Sequence, residues 1–276
     1  MTSIKQSNEV SICLDNVGYN QKPDKRTTAK IVEGIASLST QISIEEFAQS
    51  VVLPGAKSFT PALFNETFNK YNVFGYWKNK EGWKEQQLLV LDIDKNLSFN
   101  EALIHCIRYN ILPVFCYSSF SDTGSKDTGY YKFRMLFMLP EKIDNIQIRN
   151  LGQYSLAAIF PERDTSCDEE SKLFYGGKEL IYENYESRID IHSVIHAAGI
   201  YLKEKDASNY AKNYARYCNQ VGLCSIKNTP DITVEEIDLN DFLIQSTNNF
   251  APHIEDCTKT SNMTLLQNYR QQEYPM

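Results

Sequence analysis

The chain has 276 residues, 42% hydrophobic and 23% charged, the balance of a globular protein with enough length for a sizeable core. Its formal charge of −7 argues against tight non-specific binding to nucleic acid, and no apolar run is long enough to span a bilayer, so no membrane role is expected. Seven scattered cysteines, none spaced C-x-x-C, exclude a disulfide frame or zinc site and suit reduced thiols in a cytoplasmic setting.

In chain order, Met1 to about Lys25 reads as a loose, polar leader with no signal-peptide character. Residues 27–39 and 44–52 read as helices, the second opened by a capping box at Ser43 and Glu46 and broken by Pro54-Gly55. Val73–Trp77 and Gln87–Asp94 read as strands joined through a hairpin turn at residues 79–82. A second capping box, Ser98 with Glu101, starts a helix to about Asn110. Val114–Tyr117 is a β-branched and aromatic strand, and Tyr131–Leu139 is another that should stop at Pro140. Asp144 opens a helix to about Phe160, and Leu173–Tyr175 reads as a last strand before Gly176-Gly177. Residues 205–276 carry an amphipathic helix over about 206–221, with Tyr210, Tyr214 and Cys218, followed by a polar tail. Eight acids against three bases over residues 225–276 give −5, so residues 1–224 are left with only −2.

The expected fold class is α+β: an N-terminal α/β module, a βαββαβ module like that of RNA-recognition domains, and a helical C-terminal extension. In that arrangement the first and third strands lie side by side, helices cover one face, and the other face is open. Alternation sends Leu91 and Ile93, with Phe133, Met135 and Phe137, towards the helices. Asp92 and Asp94, with Lys132 and Arg134, then share the open face. Two carboxylates about 7 Å apart on one strand repel each other unless a cation sits between them, and hard oxygen ligands suit Mg²⁺ or Mn²⁺. Acids beside bases on an open sheet make a cradle for a metal-bound triphosphate.

Leu91-Asp92-Ile93-Asp94 resembles the D-x-D/E motif of the archaeo-eukaryotic primase (primase–polymerase) superfamily, in its phage, plasmid and mobile-element branch. The strand Lys132–Phe137 stands where that family has S-x-H followed by apolar residues, and Asp164, with Lys172 eight residues on and then Leu173-Phe174-Tyr175, resembles its third acid, downstream base and aromatic strand. The resemblance covers roughly residues 30–200 and implies a catalytic domain at 26–204, between the leader (1–25) and the extension (205–276). It implies that Asp92, Asp94 and Asp164 hold two Mg²⁺ or Mn²⁺ ions for nucleotidyl transfer, while Lys132, Arg134 and Lys172 grip a nucleoside triphosphate. The implied partners are a single-stranded DNA template and a replicative helicase or single-strand-binding protein. Lys132 and Arg134 replace the usual Ser and His, and Lys172 the usual Arg, so all three remain phosphate donors but the lysines lack the bidentate fork of arginine.

Two other readings stand beside this one. A haloacid-dehalogenase-type phosphatase also begins with D-x-D after a buried strand, and Asp164-x-x-x-Asp168 mimics its last acidic motif, although it needs a doubly wound sheet. A non-catalytic nucleotide- or nucleic-acid-binding module would stack bases on sheet aromatics such as Tyr117, Tyr130 and Tyr131.

Overall fold

The computed structural model describes residues 8–220. Residues expected to be a loose leader instead form β1 (Glu9–Tyr19), in which Val10, Ile12 and Leu14 are buried at a strand's period of two. Asp24 caps α1 (Lys25–Gly34) by accepting from the Thr27 amide at 2.7 Å, and the helix tightens into a 3₁₀ turn after Gly34 instead of running to residue 39. β2 (Ser39–Ser43) leads directly into α2 (Ile44–Ser50), with Ser43 as the cap, and β3 (Ala56–Thr60) completes an antiparallel sheet in the order β2-β1-β3.

β4 (Ala62–Phe64), β5 (Glu66–Phe68), β6 (Phe74–Tyr76) and β7 (Trp83–Ile93) come next. The hairpin partner of β6 is β5, not β7, so residues 79–82 form a turn between two strands that do not pair with each other. α3 (Phe99–Arg108) begins at the full Ser98–Glu101 capping box. After it stand β8 (Phe115–Ser119) and β9 (Phe133–Ile143), which runs past Pro140. That proline falls where the register between β7 and β9 shifts, a position that needs no backbone donor. α4 (Ile146–Ile159) is capped by Asn145, whose side chain accepts from the amides of Gln147 and Ile148. Phe174 exchanges two 2.8 Å backbone bonds with Phe59, which ties the 173–175 segment to β3 as a single bridge; the ladder strand is the next one, β10 (Gly177–Glu183). α5 (Ile191–Lys205) and α6 (Tyr210–Gln220) end the described chain, so the remainder of the C-terminal extension, 221–276, lies outside the described residues.

The larger sheet is antiparallel throughout, in the order β10-β8-β9-β7-β4. The first and third strands of the expected module, β7 and β9, do lie side by side. The fourth, β10, pairs with β8, and β4 occupies the outer edge of β7 where a ferredoxin-like sheet would seat it. On one face, Leu91, Ile93, Phe133, Met135 and Phe137 are fully buried, and Phe99 of α3 meets Phe133 edge-on at 5.5 Å. Gly152 lets α4 approach both Leu89 and Ile191, whose terminal methyls would have to shift to admit a Cβ. The other face is not open. Phe115 packs edge-on against Phe47 of α2 at 5.5 Å, and Phe47 against Phe59 of β3 at 4.9 Å. Each such phenylalanine contributes about 1.5–3 kcal/mol by burial. Among the described residues no helix is long and apolar enough to cross a membrane.

Candidate active site

The covered face leaves a gap at one end of the sheet, and the charged residues gather there. β7 emerges from the core at Asp92, which pairs in register with Arg134 on β9, and Arg134 in turn with Tyr117 on β8. All three point to one face by alternation, and Asp92 and Arg134 are only 7% and 8% exposed. Arg134 Nη2 donates to Asp92 Oδ2 at 3.0 Å, and Nη1 to the Tyr175 carbonyl at 2.8 Å. The Tyr117 hydroxyl donates to the same carbonyl at 2.8 Å, beneath the guanidinium. Burial pushes the Tyr117 phenol up to about 12. Burial works against the Arg134 charge, but Asp92 and Tyr117 outweigh it and hold the guanidinium above its ordinary value. Arg134 is therefore a buried group organising the site, not a cation standing on an open face.

Asp94 lies one residue beyond β7 and is exposed; its carboxyl is pushed above the ordinary value by partial burial, then by the charges of Asp92 and Asp164. Asp164 reaches this cluster through the backbone: Arg163 bridges Ile93, and the Asp164 amide donates to the Asp92 carbonyl at 2.7 Å. Its carboxylate caps a 3₁₀ turn, accepting from the Ser166 amide at 2.9 Å and Oγ at 2.6 Å. Burial raises its pKa, but the Ser166 bonds and Lys172 more than offset this and hold it below the ordinary value. Lys172 Nζ donates to the same Ser166 hydroxyl.

These groups line one cavity of about 300 Å³. Four carboxylates (Asp92, Asp94, Asp164, Glu169) and four cations (Lys22, Lys78, Arg134, Lys172) are among its lining. Five of the six residues singled out from sequence meet there. Lys132 does not line the cavity, although its charge lowers the pKa of Asp94 from alongside. Lys22 and Lys78 were missed. Lys22 falls in the supposed leader and sits 5.5 Å over the Tyr175 ring; Lys78 donates to the Ser171 carbonyl at 2.5 Å, with burial lowering its pKa. No sequence motif marks either.

Among the described residues no three His, Cys, Asp or Glu side chains form a ready-made metal cluster. Asp92 Oδ1 nevertheless fits a cation: it is a buried oxygen with no hydrogen-bond partner, beside a second carboxylate. Mg²⁺ commonly takes one or two carboxylates and completes its shell with water and substrate phosphates, so an incomplete protein cage suits it. Asp92 and Asp94 are the residues that would hold it.

The antiparallel sheet does not fit a doubly wound phosphatase, and Asp168 is engaged elsewhere, in a two-point ion pair with Arg163. Tyr117 and Tyr130 are buried, so of the three aromatics expected as a stacking platform only Tyr131 is exposed.

No protein-family model matches the chain, and no curated protein matches it. Among solved structures it is similar to the AEP domain of the cyanophage S-2L primase–polymerase (PrimPol), with 8% identity, 69% of this chain and 89% of that chain covered, and a TM-score of 0.38. A likeness that distant carries no argument about function.

Proposed function

We propose that the pocket at the end of β7 is a nucleotidyl-transfer site that adds nucleotides along a single-stranded DNA template, with Mg²⁺ or Mn²⁺ as cofactor. The observation that carries this reading is the unpartnered Asp92 Oδ1 with Asp94 beside it, both aspartates lining one cavity together with Lys22, Lys78 and Lys172. The lysines supply point charges for a triphosphate. Arg134 holds the Asp92 side chain in place, with the Tyr175 carbonyl as its second anchor. A bound divalent cation would neutralise phosphoryl oxygens and favour attack by a 3′-hydroxyl. Asp164 acts here as a positioning acid whose bonds to Ser166 set the distance between the Lys172 side and the aspartates.

A second reading has its own support. Arg134 occupies one oxygen of Asp92 and the Ser166 cap engages Asp164, as would suit a domain that binds a nucleotide without turning it over. One experiment separates the two. The purified chain is incubated with single-stranded DNA, Mn²⁺ and labelled nucleotides, with and without a primer, alongside an Asp92→Ala/Asp94→Ala variant. Product only with a primer means a polymerase, and product without one a primase. Metal-dependent nucleotide binding with no product in either arm means the binding domain, and neither binding nor product removes both readings.

A further inference from the structure

The β5–β6 hairpin carries an exposed aromatic surface that the pocket does not explain. Phe68 pairs directly with Phe74, and Glu66 with Tyr76, so Phe68, Phe74 and Tyr76 share one face of a two-stranded ribbon. Phe68 and Phe74 are each 57% exposed, with ring centroids 5.1 Å apart, and Tyr76 is 45% exposed. Tyr71 at the tip is 74% exposed, with the Lys70 ammonium 4.9 Å from its ring. Elsewhere in this chain strand aromatics such as Phe59, Phe115, Phe133 and Phe137 are fully buried.

The hairpin is held in shape by its own bonds. Asn69 Oδ1 accepts from the amides of Tyr71 and Val73 at 2.9 and 3.0 Å, Asn72 takes the left-handed conformation the turn needs, and Trp77 Nε1 donates to the Val73 carbonyl at 2.9 Å. The rings are thus presented on a set backbone, with little ordering left to do on binding. Charge points to the occupant. Within a chain of −7, residues 66–80 hold three lysines (Lys70, Lys78, Lys80) against one acid, Glu66. Lys78 also lines the cavity, and the two residues from Tyr76 to Lys78 span at most about 7 Å, so the aromatic strand leads directly to the pocket along the chain.

We propose that the β5–β6 hairpin is a stacking platform for single-stranded DNA, with bases on Phe68, Phe74 and Tyr76 and the backbone phosphates beside Lys70 and Lys78. Aromatic rings interleaved with cations are what a sequence-tolerant single-strand site requires, because every base has a π face and every nucleotide a phosphate. The proposal rests on the nucleotidyl-transfer reading only for the reason a template should lie here.

The test is an anisotropy titration of the full chain with a short fluorescein-labelled oligothymidylate in EDTA, where the pocket holds no metal. Phe68→Ala/Phe74→Ala should weaken binding by about tenfold or more, while Phe68→Tyr/Phe74→Tyr keeps most of the affinity. Few phosphate contacts predict a shallow salt dependence, with a log–log slope of about −2 or less steep. Both variants change exposed rings, and equal thermal melts check that the fold is intact. Equal affinity of the alanine variant and the parent overturns the proposal. So does an alanine variant that loses self-association, by light scattering, while binding the oligonucleotide as before; the face would then join two copies of this chain. Because the titration uses no metal, either result leaves the pocket reading standing, and absent product with intact hairpin binding would remove the pocket reading alone.

Discussion

Two arginine–aspartate pairs lie near each other in this molecule, one buried and one half-buried, and they are built differently. Arg163 and Asp168 are closed: both carboxylate oxygens accept from the guanidinium, at 3.0 and 2.5 Å. Arg134 and Asp92 are half-made, with one carboxylate oxygen bonded at 3.0 Å and Oδ1 left without a partner. A closed pair satisfies its own desolvation and holds a loop in place, whereas a half-made pair leaves an unmet cost that a ligand can relieve. The same residue types therefore indicate structure in one place and a site in the other. The discriminating feature is the unfilled lone pair, not the charge.

The largest expected difference is in activity. Asp92→Asn keeps an oxygen for Arg134 but loses the charge, and should reduce metal-dependent product formation about a thousandfold with the circular dichroism spectrum unchanged. Asp168→Asn should leave product formation within about twofold, since Asp168 is not among the residues lining the cavity and is paired with Arg163. Equal losses in the two variants would erase the contrast.

Stability should sharpen it. Arg134→Met leaves Asp92 buried and takes the nearest guanidinium from Asp94 and Asp164 as well, so urea unfolding should show a loss of about 3 kcal/mol. Arg163→Met should cost less, about 1–2 kcal/mol, because the Arg149 guanidinium remains beside Asp168. A reversed order would mean that the pocket pair is the structural one.

Smaller effects are expected at the rim. Lys172→Ala should weaken triphosphate binding about tenfold by calorimetry and lower the melting temperature by only a few degrees, because the free protein loses the bond to Ser166 and the support of Asp164, while the complex also loses a bond to phosphate. Asp94→Asn should raise the melting temperature at neutral pH by about 1 °C, a value kept small because the group is largely exposed. The native pKa of Asp94 lies above the unfolded value of 3.8, so the native state holds this proton more tightly than the unfolded chain does. Ionised Asp94 thus opposes folding above its native pKa, and the opposition disappears below the unfolded value. The gain from the asparagine should therefore vanish as the pH falls below about 3.8, and a gain that persists in acid would assign the effect to something other than charge.

Much of this was written locally in the chain. The apolar run ending in Asp92-Ile93-Asp94, the Ser98–Glu101 capping box and the strand from Phe133 to Phe137 depend on neighbours two to four residues away, and each appears where the sequence puts it. The mutual approach of Asp92, Asp94 and Arg134 was legible for the same reason, because strand alternation fixes the face of each residue. The meeting of Asp164 and Lys172 with them came from a family resemblance, and a bridge from Ile93 to Arg163 brings Asp164 there.

Other features depended on contacts that no window of sequence contains. Which face of the sheet is covered was decided by Phe47, backed by Phe59, reaching Phe115 from more than fifty residues away, and on that covered face Arg134 is a buried cation instead of a surface one. Lys22 joined the pocket because β1 is a paired strand and delivers the segment after Tyr19 to the site; the Val10, Ile12, Leu14 alternation was visible, but its polar flanks read as a leader. β6 chose β5 over β7 because β4 and β9 already occupy both edges of β7. Local periodicity determined which segments became strands and which side chains share a face, since those properties come from backbone geometry alone. The partner of each strand, the covering of each face and the completeness of each ion pair were settled by burial competing across the whole chain, and only the tertiary structure records that outcome.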